Sequence, residues 1–170
     1  GMKEKAAKAK ADKNERPANV GDVWTWTAID ADSNLILSWY LGSRDAGAAY
    51  EFMTDVAGRL ANRVQLTTDG HAAYLSAVKG AFGRMVDYAQ LVKQYGADPK
   101  EDQRRYSPAA CLGAEKVEIM GHPKSEHIST SYIERSNLTL RMSNRRFTRL
   151  TNAFSKKLAN HAHMVALYTC

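Results

Sequence analysis

From Val23 the chain alternates apolar and polar positions with a period of two. VWTWTAID is β-branched and aromatic, ADSN supplies turn chemistry and NLILSWYLG repeats the pattern, which predicts a β-hairpin. The period then lengthens. In DAGAAYEFMTDVAGRLA, Ala49, Phe52, Met53, Val56 and Leu60 fall at helical spacing behind Asp45, a capping residue type, so a helix of about four turns follows. RVQLTTDG predicts a short buried strand closed by Asp69 and Gly70. HAAYLSAVKGAFG predicts a second helix with Ala73, Tyr74, Ala77, Val78 and Phe82 on one stripe. MVDYAQLV reads as a further strand, residues 93–112 as a polar surface excursion, and AEKVEIM as a short exposed strand. The rest is helical in pattern over 131–146 and 150–168, with a break near 147–151.

A length of 170 residues suits a single domain. Residues 1–20 fall outside it: Gly1 before Met2 reads as a tag scar, and residues 2–16 form a charged Ala/Lys/Glu arm that Pro17 ends. Residues 21–170 are then the domain. With 44% hydrophobic and 25% charged residues, the composition excludes a largely disordered chain. No apolar run approaches the roughly 18 residues of a membrane span, so the expected setting is cytoplasmic, with no membrane partner. Cys111 and Cys170 lie far apart with no CxxC or Cys/His cluster, which argues for reduced thiols over a disulfide or structural zinc.

Charge changes this picture more than composition does. Residues 135–170 hold seven basic side chains (Arg135, Arg141, Arg145, Arg146, Arg149, Lys156 and Lys157) and no acid, so this segment is +7 and the preceding 134 residues sum to −1. A solvated helix usually mixes signs. The asymmetry points to a polyanion, most commonly a polyphosphate backbone, bound through phosphate neutralisation and counterion release; a basic helix without a partner is the alternative.

Two acids stand out as chemistry. Asp69 ends a strand just before a helix, where carboxylates of open α/β sheets face the ligand crevice; a plain Asp-Gly turn is the other reading. Glu134 begins a helix otherwise carrying only basic charge, where an acid is worth about 0.3–1 kcal/mol through the macrodipole alone. Arg141, seven residues on, lies two turns along the same face.

The Asp of TTDG, the Glu of YIERSNLTLR 65 residues later, and RRFTRLTNAFSKKLANHAH together resemble the catalytic half of DDE transposases of the insertion-sequence-one kind, retroviral-integrase-like members of the ribonuclease H-like superfamily. The resemblance covers roughly residues 21–168. It implies an α/β fold, a ribonuclease H-like mixed sheet flanked by helices with a long helical C-terminus. It makes Asp69 and Glu134 the second and third acids of a catalytic triad and Arg141 the basic residue that follows. By implication the cofactor is Mg²⁺ or Mn²⁺ in a two-metal site, and the reaction is phosphodiester cleavage followed by strand transfer. Arg141, Arg145, Arg146, Arg149, Lys156 and Lys157 would contact DNA, in a bacterial, nucleoid-associated setting. Family members carry their first Asp in an Asp-Glu-Ile/Leu-Trp strand upstream of the hairpin, and no Asp-Glu dipeptide occurs here. A truncated copy, through a gene remnant or a misplaced start, is the expectation; the alternative is a stand-in first acid, Asp30 ahead of Asp22 and Asp32.

That strand is central in the family's sheet. Its absence predicts either direct pairing of residues 23–30 with Val64–Asp69 or a strand lent by another chain or by the arm before Pro17, whose lack of β-branched residues makes it a poor strand, and hence a rearranged sheet or a homo-oligomer. The rival functions are a catalytically inactive DNA-binding or oligomerising remnant and a stand-alone nuclease. Other features have ordinary readings. His161 and His163 point about 200° apart on a helix and cannot easily share a metal. Trp24, Trp26 and Trp39 suit packing better than base stacking. His71 is either a substrate contact or a plain helix-start residue, and Tyr132 and Asn137 flank Glu134 as possible backbone contacts to DNA.

Overall fold

A computed structural model describes residues 23–96, 111–144, 147 and 157–169. Strands β1 (Trp24–Ile29) and β2 (Ile36–Gly42) form the expected antiparallel hairpin, in register from Trp24 opposite Gly42 to Ile29 opposite Ile36. Its corner is closed by backbone bonds between Asp30 and Leu35 and between Asn34 and Asp30, each 2.9 Å, with Asn34 at φ 60°. Helix α1 (Ala46–Gly58) starts where the Asp45 carboxylate accepts from Ala48 N at 2.9 Å. It buries Ala48, Ala49, Phe52, Met53 and Val56, the stripe its spacing predicted.

Strand β3 (Val64–Asp69) lies parallel to β4 (Val86–Tyr95), with helix α2 (Ala73–Phe82) as the crossover. β4 also pairs antiparallel with β5 (Cys111–Met120), so this three-stranded sheet is mixed. Val86 and Tyr88 face α1 and α2 and close a core with Trp26, Phe52, Met53, Val56, Ala77 and Val78. Each such large side chain contributes roughly 1.5–3 kcal/mol by leaving water. The helices approach closely where Gly80 meets the Tyr50 ring: a Cβ there would lie 2.7 Å from Tyr50 Cε2. The phenol of Tyr88 keeps hydrogen bonds inside the core, at 2.9 Å to Thr68 and 2.8 Å from Gln90 Nε2. Two helices complete the described chain, α3 (Ser131–Ser143) and α4 (Leu158–Thr169).

Three expectations need correction. The mixed sheet flanked by helices is present, but it comprises β3-β4-β5 alone, with β1-β2 as a separate ladder, and among the described residues nothing pairs with the free edges of β1 and β3. Direct closure of the hairpin onto Val64–Asp69 does not occur. Aromatic packing joins the halves instead: the Trp26 ring lies 5.9 Å from Phe52 and 5.5 Å from Tyr74. Secondly, the polar excursion is shorter than 93–112, because β4 runs to Tyr95 and β5 starts at Cys111; the ladder's backbone bonds carry polar residues into strand. Thirdly, α3 ends at Ser143, with Asn144 extended, and the described part of the last helix begins at Leu158.

Candidate functional site

Strand alternation decides what faces what. On β4, Leu91 and Lys93 point to the side opposite Tyr88, away from the core, and Asp69 is the register partner of Leu91. Asp69 and Lys93 therefore share one sheet face, one strand spacing (about 4.8 Å) and two residues (about 6.6 Å) apart at the backbone. Asp69 is exposed, and its Oδ1 accepts from His71 N at 3.1 Å, an Asx turn that fixes the carboxylate at the strand end.

Helix α3 brings the second acid to Lys93. It is tied to the hairpin by Thr27 Oγ1 donating to Asn137 Oδ1 at 2.9 Å, and to the other sheet through Glu134, whose Oε1 accepts from Lys93 Nζ at 2.5 Å. Thr130 Oγ1, one turn back at the helix start, donates to the same oxygen at 2.5 Å. Burial pushes the Glu134 carboxyl upward, but the bonds from Lys93 and Thr130 outweigh it and hold the group below its ordinary value. The same contact raises Lys93.

The other sequence-derived residues separate. Arg141 is exposed on the flank of α3 that carries Glu134, and its Nε donates to Asn137 O at 3.2 Å, one turn back. Lys157 is exposed just ahead of α4. Arg145, Arg146, Arg149 and Lys156 lie outside the described residues, as does Asp22. Asp30 sits at the hairpin corner with its carboxylate turned back on Ser33, which donates through both N and Oγ; those bonds lower its pKa, and no β1–β3 ladder carries it to Asp69. Asn137 anchors α3, and Tyr132 is exposed. The His71 ring packs on Trp26 and Tyr74, 6.0 and 5.9 Å between centroids, and its Nε2 is buried without a hydrogen-bond partner among the described residues. His161 is buried and His163 exposed, so the two do not converge. Trp26 is core, whereas Trp24 is partly exposed beneath the Arg44 guanidinium, 4.7 Å from its ring.

Lys93 is the residue that sequence reasoning missed. It stood first in the expected excursion, and only the continuation of β4 puts it in phase with Leu91; a lone lysine closing VDYAQLVK carries no signal of its own.

As donors, the two carboxylates offer hard oxygens suited to a cation of the Mg²⁺ or Mn²⁺ class. The Lys93 ammonium already lies against one of them. No group of three or more His, Cys, Asp and Glu gathers among the described residues. Among the described residues the candidate donors are therefore these two carboxylates and no third.

Residues 19–107, just over half of the chain, match the DDE domain of IS240-type transposases. The chain belongs to the DDE transposase family, whose function lies in DNA transposition and whose members generally use divalent metal. The matched span runs from before β1 through β4 and includes Asp69; Glu134 lies beyond it. No curated protein and no solved structure matches the chain. Among the described residues no helix is long and apolar enough to cross a membrane.

Proposed function

We propose that this chain is the catalytic portion, or a truncated copy, of a bacterial insertion-sequence transposase of the insertion-sequence-one kind, with a ribonuclease H-like arrangement, acting in phosphodiester cleavage and strand transfer. One observation supports the reading: Glu134 accepts from Lys93, whose strand position shares a sheet face with Asp69, and Asp69 lies within the family match. These two would hold Mg²⁺ or Mn²⁺. When bound, such an ion polarises phosphoryl oxygens and stabilises the charge that develops on them. The Asx turn orients Asp69, Thr130 orients Glu134, and Arg141 and Lys157, with the basic residues outside the described span, neutralise DNA phosphates. The free edges of β1 and β3 support a homo-oligomer, or another segment, that pairs with them.

Mn²⁺ titration of the full chain tests the site. Asp69→Asn and Glu134→Gln should each weaken binding by at least about tenfold, the scale of losing one anionic ligand, and Asp30→Asn should leave it unchanged. Equal affinity in all three variants would remove the assignment.

A second reading, an inactive DNA-binding remnant, is favoured by the lack of a third acid near Asp69 among the described residues. Supercoiled plasmid with Mn²⁺ separates the two. The remnant should bind without nicking; nicking abolished in both Asp69→Asn and Asp30→Asn would instead favour the catalytic reading and make Asp30 the first acid, and joined products would distinguish a transposase from a nuclease.

A further inference from the structure

The contact between Lys93 and Glu134 is hard to explain as fold stability alone. Both side chains are partly open to water, 32% and 50% exposed, and exposed pairs of this kind are worth little. α3 already has an anchor on the hairpin through Asn137 and Thr27. Yet the ammonium sits on Glu134 Oε1 on the sheet face that carries Asp69, while the neighbouring guanidinium of Arg141 is turned along its own helix. Lysine is a compact point charge on a flexible stem, able to leave a partner without rearranging the backbone.

We infer that Lys93 is a built-in counter-cation of this site: without a divalent ion it holds the Glu134 carboxylate in place, and when an ion binds it is displaced and its ammonium becomes free for a DNA phosphate. The inference rests on the reading of Glu134 as a metal ligand. Asp69 keeps its place through the Asx turn in both states, and Thr130 keeps Glu134 directed toward the sheet while the ammonium leaves. Lys93 is thus a positioning residue that acts through Glu134, and a competitor of the ion for one oxygen.

Calorimetric titration of the full chain with Mn²⁺ tests this on the wild type, Lys93→Met, Lys93→Arg, Glu134→Gln and the Lys93→Met/Glu134→Gln pair. Lys93→Met should tighten Mn²⁺ binding about fivefold, the scale of a half-exposed ion pair; Lys93→Arg, which keeps the charge, should stay near wild type. In the double variant the gain should vanish. Duplex DNA binding supplies the second readout: adding Ca²⁺ should steepen the salt dependence of the wild type by about 0.9, one phosphate contact, and leave Lys93→Met unaltered. A Lys93→Met chain that binds Mn²⁺ no more tightly than wild type overturns the inference. If Glu134→Gln weakens Mn²⁺ binding in that case, the ligand assignment survives alone. If Glu134→Gln changes nothing, or no variant binds Mn²⁺, both fall together.

Discussion

The two ends of β4 carry the same chemical pair in opposite styles. At its start, Asp87 receives both arms of the Arg63 guanidinium, Nε to Oδ2 at 2.9 Å and Nη2 to Oδ1 at 2.6 Å, while Nη1 reaches Arg84 O at 2.7 Å and His122 N donates to Asp87 Oδ1 at 2.8 Å. Near its end, Lys93 makes one contact to one oxygen of Glu134. Asp87 and Lys93 lie on the same sheet face, six residues apart. The forked guanidinium fixes direction as well as charge, so the first pair is a clasp that closes the β5 end onto the sheet. The second is a single releasable bond. One face of the sheet is thus locked at one end and held by a single contact at the other.

The largest effect should come from breaking the clasp through its backbone. Gly121 has φ 74°, and a Cβ there would run into Asp87 Oδ1 and lie 2.8 Å from Arg63 Nη2 and 3.0 Å from Val86 O. Gly121→Ala should therefore cost about 1–3 kcal/mol, read as a lower urea midpoint. Lys93→Met should move the same midpoint by less than about 0.5 kcal/mol. Equal losses would erase the distinction between the two ends.

Acid sharpens the comparison next. The Arg63 fork, followed by His122 N, holds the Asp87 carboxyl far below the usual carboxylate range. A carboxyl depressed in the folded state contributes stability that is fully present above its unfolded value of about 3.9 and is lost as pH falls through the folded one. Stability should thus decline below about pH 4, and Asp87→Asn should flatten that limb in urea titrations between about pH 2 and 6. Glu134 is depressed too, so its pair weakens in the same direction, and Glu134→Gln should flatten the limb less because Lys93 supplies only one contact.

How much of this was legible in the chain follows from the range of the forces. The hairpin, both core helices and the parallel strand were written in local periodicity: Phe52, Met53 and Val56 announce their face wherever α1 packs, and Asp45 announces its start. Asp69 and Glu134 are candidates by strand-end and helix-start position together with the family resemblance. Nothing local revealed Lys93, the Arg63–Asp87 clasp or the tie between Thr27 and Asn137, because each joins residues between 24 and 110 positions apart. The division into two ladders was invisible for the same reason, since strand pairing is a choice among distant edges.

The smallest effect separates the two arginine roles. Arg63 is consumed by its contacts with Asp87 and Arg84, whereas Arg141 makes one bond to a helix carbonyl and is exposed. An exposed guanidinium on a helix without further acids after Glu134 is available to a phosphate, and one neutralised phosphate changes the slope of log K against log salt by about 0.9. Arg141→Ala should shallow that slope by about this amount for duplex DNA, and Arg145→Ala with Arg146→Ala by about twice as much if each of them contributes one contact. Arg63→Ala should leave the slope alone and lower the urea midpoint instead. A slope that falls with Arg63 and holds with Arg141 would place the DNA-binding surface at the clasped end of β4, away from Asp69 and Glu134.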